Sequence, residues 1–153
     1  MSATPATPED PFRPGAKLTT TTRAISASDV ASFAHLTGDE NPLHLDEAVA
    51  AAEMFGGIVA HGMFTLAATI GLWYQSGYFE GHVVVFTGIE NLRFLRPVRP
   101  GESLGAELAI QKRETSARGD KVELENITYN ERHEPVLSFT ARLLVRPLHR
   151  AKE

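Results

Sequence analysis

The chain has 153 residues, 42% of them hydrophobic and 22% charged, with a formal net charge of -4. That length supports one proper core and excludes two comfortable ones, and the acidic balance gives no electrostatic bias toward nucleic acid. The absence of cysteine excludes disulfides, thiol nucleophiles and thiolate metal sites, and it fits a reducing, cytoplasmic setting.

Residues 1–15 contain four prolines, two acids and no apolar run, so they read as a disordered or extended lead-in and not as a signal peptide. A single domain is expected over 16–148, with a short tail at 149–153. Leu18 to Ile25 is rich in β-branched residues and predicts a strand. Ser26 or Ser28 then offers a cap for an amphipathic helix over Ser28 to Leu36, which Gly38 terminates. After the segment TGDENPLH, Thr37 to His44, Asp46 caps a second short helix predicted to run to Met54 and to break at Gly56 and Gly57.

The stretch from Ile58 to Tyr74 is nearly continuous in apolar residues. A membrane span needs about 20 of them, and this one holds His61, glycine and threonine, so it predicts a buried soluble helix from about Ala60 to Gln75. Four β segments follow: His82 to Val98, Ser103 to Lys112, Lys121 to Glu131 and Val136 to Val145. Leu104, Ala106, Leu108 and Ile110 alternate, as do Leu137, Phe139, Ala141, Leu143 and Val145, so each of these two strands has one buried face. The turns RPGE, SARGD and RHEP make neighbouring strands antiparallel. The economical α+β arrangement is a curved antiparallel sheet wrapped around a central hydrophobic helix. The long strand from His82 needs its edge covered, which predicts a homodimer or a dimer of dimers.

Two segments carry chemistry. TGDENPLH is bent by Gly38 and by Asn41 before Pro42, and it places Asp39 and His44 where they could exchange protons with a substrate. The competing reading is a helix stop followed by an ordinary turn former. AHGM, Ala60 to Met63, opens the apolar helix. Its unpaired N–H groups, with Gly62 lacking a side chain, form a donor site for a carbonyl oxygen gaining charge. Here the competing reading gives Gly62 a packing role and His61 a capping or core role.

The run FAHLTGDENPLHLDEA, followed by GGIVAHGM, closely resembles the signature of MaoC-like, (R)-specific enoyl-CoA hydratases, and NLRFLRPVRPGESL resembles a further element of that family. The resemblance implies a hotdog fold and reversible hydration of trans-2-enoyl-CoA to (R)-3-hydroxyacyl-CoA, with no metal or redox cofactor. Asp39 and His44 would be the catalytic pair and the Gly62 N–H the binder of the thioester carbonyl. Asn41, Pro42 and His61 would shape the site. Some relatives carry a serine deeper in the central helix, where this chain offers only Thr69. A CoA substrate brings phosphates, for which Arg93, Arg96 and Arg99 are the candidates. Phe64, Trp73, Tyr78 and Phe86 are candidates for an acyl slot, each also readable as core.

Two rival classes remain on the same residues. One is a thioesterase or an acyl-carrier-protein dehydratase, and the other a non-catalytic acyl-thioester-binding subunit. A metal hydrolase has little support, since no HExxH helix is present and His35, His44 and His61 lack ligand spacing in sequence. No partner of nucleic acid or membrane type is expected.

Overall fold

A computed structural model describes residues 9–149. The first helix, α1 (Ala27–Thr37), starts one residue before the predicted Ser28 because Ser26, of the two candidate caps, forms a reciprocal capping box with Asp29. It stops at Gly38, whose φ of 79° is left-handed and whose N–H returns to the Ala34 carbonyl. Two short helices follow, α2 (Pro42–Leu45) and α3 (Glu47–Ala52), with Asp46 accepting from the Ala48 and Val49 amides at the start of α3. The second of these ends two residues before the predicted Met54. The long apolar helix is α4 (Gly62–Gln75), with His61 at its N-cap.

The predicted first strand is two pieces, β1 (Lys17–Thr19) and β2 (Arg23–Ala24). Between them the Thr20 hydroxyl takes the Ala106 N–H at 2.9 Å, so a side chain replaces the backbone in the ladder and the strand breaks. The remaining strands are β3 (His82–Phe94), β4 (Ser103–Ser116), β5 (Gly119–Tyr129) and β6 (Pro135–Pro147). All pairings are antiparallel, in the order β1-β4-β5-β6-β3, with β2 also on β4. Hydrophobic side chains at alternate positions of β4, β5 and β6 form the core with Leu66, Leu72 and Trp73 of α4.

Two further features depart from expectation. Residues 9–15 are not a loose lead-in: Phe12 is 1% exposed and stacks on Phe79 at 4.7 Å between centroids, and Asp10 pairs with Arg113 of β4. One aromatic among prolines gave no periodicity to read. The expectations for residues 1–8 and 150–153 lie outside the described residues. Helix α4, apolar all round, is not covered all round, because Met63, Ala67 and Tyr74 line one exposed stripe. Strand β3, as its length predicts, is a sheet edge, with Val83, Val85 and Ile89 exposed.

A buried polar chain crosses this core. The Trp73 indole N–H donates to Asn126 Oδ1 at 3.0 Å, and Asn126 Nδ2 donates to Thr128 Oγ1 at 3.0 Å. The Thr128 and Thr69 hydroxyls are 2.9 Å apart, and Thr69 Oγ1 donates to the Thr65 carbonyl at 2.9 Å. Each hydroxyl has one proton, so every donor in this chain points toward the N-terminal end of α4.

Candidate active site

The TGDENPLH segment folds as a left-handed residue, a short exposed link and a new helix start. Asn41 caps α2 by accepting from the Leu43 N–H at 3.0 Å, and Pro42 occupies the first helical turn, where its missing N–H costs nothing. The His44 N–H bonds to the Asn41 carbonyl at 2.9 Å, closing the turn at the start of α2. Asn41 and Pro42 therefore shape the segment that carries His44.

His44 Nδ1 lies 2.6 Å from the Val59 carbonyl oxygen. A carbonyl only accepts, so Nδ1 holds a proton, which leaves Nε2 as the ring atom that can take one up or give one back. Val59 and Ala60 lead into α4, and the Ala60 N–H is fixed to the Val98 carbonyl at 2.7 Å. The loop and the helix start thus meet through backbone groups that no spacing rule reveals.

His61, 2% exposed, donates from Nε2 to the Asp39 carbonyl at 2.9 Å. Its ring centroid is 3.7 Å from that of His44, with the planes 31° apart. Its Nδ1 is buried without a hydrogen-bond partner, an arrangement that costs about 1–3 kcal/mol for a polar atom. One carboxylate oxygen of Asp39 and one ring nitrogen each of His44 and His61 all lie within 4.8 Å of one another. Such a grouping of two histidines and an aspartate could be read as a metal site. The two rings face each other, however, and a metal needs both lone pairs directed in the ring planes at about 2.0–2.1 Å. The fit is better for water than for a cation, since groups separated by up to about 5 Å can share one bridging molecule.

Gly62 begins α4, so its N–H is among the helix's unpaired donors and sits at the positive end of the dipole. A Cβ there would stand 2.8 Å from Cε1 of Phe94, so any larger residue has to displace that ring. Strand β3 reaches that point after an irregularity between Glu90 and Arg93, where Asn91 has φ 55°. His44 and Gly62 share a pocket of about 460 Å³, whose apolar walls include Leu43, Phe55, Met63, Phe94 and Val136. Asp39 is exposed beside His44, outside that lining.

Several expected site residues lie elsewhere. Thr69 is fully buried on the sheet side of α4 within the polar chain and does not reach Asp39 through any hydrogen bond. Three of the acyl-slot candidates pack in or against the core, Trp73 stacking on Phe86 and Phe139 and Phe64 packing on Phe33, while the partly buried Tyr78 donates to the Thr19 carbonyl. A larger cavity, about 710 Å³, contains Tyr78 and His82 but lies past the C-terminal end of α4, about 20 Å of helix away from Gly62. Of the arginines, Arg99 donates to the Phe55 carbonyl and packs against Gly57, so it secures the loop before α4. Arg96 donates to the Pro135 carbonyl at 2.8 Å and lines the 460 Å³ pocket. Arg93 bonds only to the neighbouring Leu92 carbonyl among the described contacts. His35 pairs with Glu40 at the surface.

The sequence from residue 6 to residue 132 matches the model of the MaoC like domain. The chain belongs to the MaoC-like family. It is 36% identical over 102 residues to protein MaoC of Klebsiella aerogenes, a match covering 67% of this chain but 30% of that longer protein. It is 36% identical over 116 residues to 3-hydroxybutyryl-CoA dehydratase of Methylorubrum extorquens, covering 67% of this chain and 70% of the relative. The solved structure of an (R)-hydratase from A. caviae superposes with a TM-score of 0.72 at 27% identity, covering 86% of this chain and 96% of that one. The shared architecture is the hotdog fold, and the family supports an enzyme of hydratase or dehydratase type.

Proposed function

We propose that this MaoC-like protein is a hydro-lyase that reversibly adds water to trans-2-enoyl-CoA, giving (R)-3-hydroxyacyl-CoA. The observation that carries this reading is the meeting of Asp39 and His44 beside a pocket into which the first residue of α4 also opens. Water held between the carboxylate and His44 Nε2 adds its oxygen to the β-carbon and gives a proton to the pair. The electron pair of the double bond moves toward the thioester, and the oxygen gains charge opposite the Gly62 N–H. The pair then returns a proton to the α-carbon, so the net addition is one water. Because two close titrating groups act together, the pair is the acid–base unit.

The names of the relatives support a thioester substrate, and the (R) configuration rests on the likeness to the A. caviae protein. No metal or redox group is required by this chemistry. Arg93, Arg96 and Arg99 are the proposed phosphate contacts, with Arg99 held by the Phe55 carbonyl and Arg96 by the Pro135 carbonyl and Glu134, so that Arg93 is the least engaged among the described contacts. A homodimer fits the open β3 edge and the uncovered apolar stripe of α4. Among the described residues no helix is long and apolar enough to cross a membrane, and a cytoplasmic site of action is part of this proposal.

The test is a spectrophotometric screen of purified protein against enoyl-CoA and enoyl-acyl-carrier-protein substrates of graded length and branching. Loss of the conjugated-thioester absorbance, with product of one configuration, is the expected result. Thiol release without hydration would identify a thioesterase, and inertness toward the whole series would identify a binding subunit.

A further inference from the structure

We infer that His61 is the positioning residue of the site, tying the Asp39 segment to the first turn of α4 and backing the ring of His44. Its kinetic consequences rest on the hydratase reading, whereas its geometry does not. His61 occupies the N-cap of α4, yet its side chain makes no capping hydrogen bond to its own helix. It reaches 22 residues back along the sequence to the carbonyl of Asp39. Its ring meets Phe33 edge-on at 5.0 Å and His44 at 3.7 Å. One imidazole therefore touches the residue carrying the carboxylate and the imidazole of the pair, and it immediately precedes the carbonyl donor, Gly62.

The stranded nitrogen discriminates this role from packing. Phenylalanine would fill the same space between Phe33 and His44 and leave no polar atom buried. Histidine keeps an unpartnered Nδ1 in that place, and what it gains is the Nε2–H bond to Asp39. The tautomer follows: Nε2 carries the proton because it faces a carbonyl, and Nδ1 is a bare lone pair. Capping does not explain the side chain either, since the bond goes to another segment. The Thr65 hydroxyl donates to the His61 carbonyl at 3.2 Å, which adds a second hold on this residue from inside the helix.

Three variants and one spectrum test the inference. His61→Phe keeps the packing and removes the donor, and kcat should fall about 10- to 100-fold with KM within about twofold and thermal stability kept, as for a displaced acid–base pair. His61→Gln places an amide N–H near the position of Nε2 and should recover most of kcat, while His61→Asn, which is shorter, should not. Nitrogen-15 NMR of the unmodified protein should show His61 as the Nε2–H tautomer. Parent-level kcat in His61→Phe, equal losses in the Gln and Phe variants, or an Nδ1–H tautomer would each overturn the inference. If the parent hydrates no enoyl thioester, the functional reading fails by itself. The NMR tautomer and the protection of the Asp39 segment from hydrogen exchange in the Gln and Phe variants would still decide the role of His61.

Discussion

At the C-terminal end of α4, Trp73 is fully buried against Phe79, Phe86 and Phe139, and its indole N–H is bonded to Asn126. At the N-terminal end, His61 keeps one nitrogen unpaired, Asp39 is exposed, and Phe94 is 53% exposed over Gly62. One helix thus joins a saturated, aromatic-filled region to one with open valences. The proposed reactivity lies at the end where a buried nitrogen has no partner, and the aromatic packing is concentrated at the other. The directional hydrogen bonds from Trp73 to the Thr65 carbonyl run between the two.

Substitutions at the two ends should separate these roles. Asp39→Asn and His44→Ala are expected to lower kcat by about 10²- to 10⁴-fold, the range for loss of general acid–base catalysis. Their thermal transitions should stay near that of the parent, and equal turnover in either variant would break the assignment of the pair. Trp73→Ala should do the reverse, costing about 3–5 kcal/mol in denaturant unfolding while the folded fraction retains its turnover.

Thr128→Val cuts the connection itself. It leaves the Asn126 amide and the Thr69 hydroxyl short of one partner each, with an expected loss of about 1–3 kcal/mol. A fall in kcat beyond that of the folded fraction would show that the polar chain also steadies the site. The smallest effect concerns α1, outside the comparison. Hydrogen bonding to the Ser26 backbone, together with Ser26 Oγ and Arg23, holds the Asp29 carboxyl below the usual aspartate range despite the opposing effect of burial. A depressed carboxyl stabilises the fold fully above its unfolded pKa, and this contribution is lost as pH falls through the folded one. Unfolding measured from neutral to acidic pH should show that slope in the parent and a weaker one in Asp29→Asn.

The parts of this structure that were legible in sequence are those fixed by neighbours in the chain. Ser26 with Asp29 and Gly38 bound α1 locally, and the alternation in β4 and β6 reports a two-sided sheet. Asp39 and His44 could be paired in advance because one short bend separates them. Helix α2 was hidden, since four residues, Pro42–Leu45, cannot display a 3.6-residue period. The split between β1 and β2 depends on a hydroxyl competing across the sheet, which β-branched composition does not encode. Phe12 gave no signal because a single aromatic has no pattern. The stacking of His44 on His61 and the engagement of Arg99 with Phe55 are products of tertiary folding. Those contacts separate the arginines' tasks and turn a helix-capping candidate into a tie between segments.

The contact between Gly62 and Phe94 makes two distant positions a single unit of volume. Any methyl group gained at position 62 has to be matched by space surrendered at position 94, because the ring already occupies it. Exchanges at the two positions are therefore expected to be non-additive: Gly62→Ala should be tolerated better together with Phe94→Leu than alone. In a lineage of such chains, the helix start and the end of the first long strand would drift as partners, each setting the substitutions open to the other.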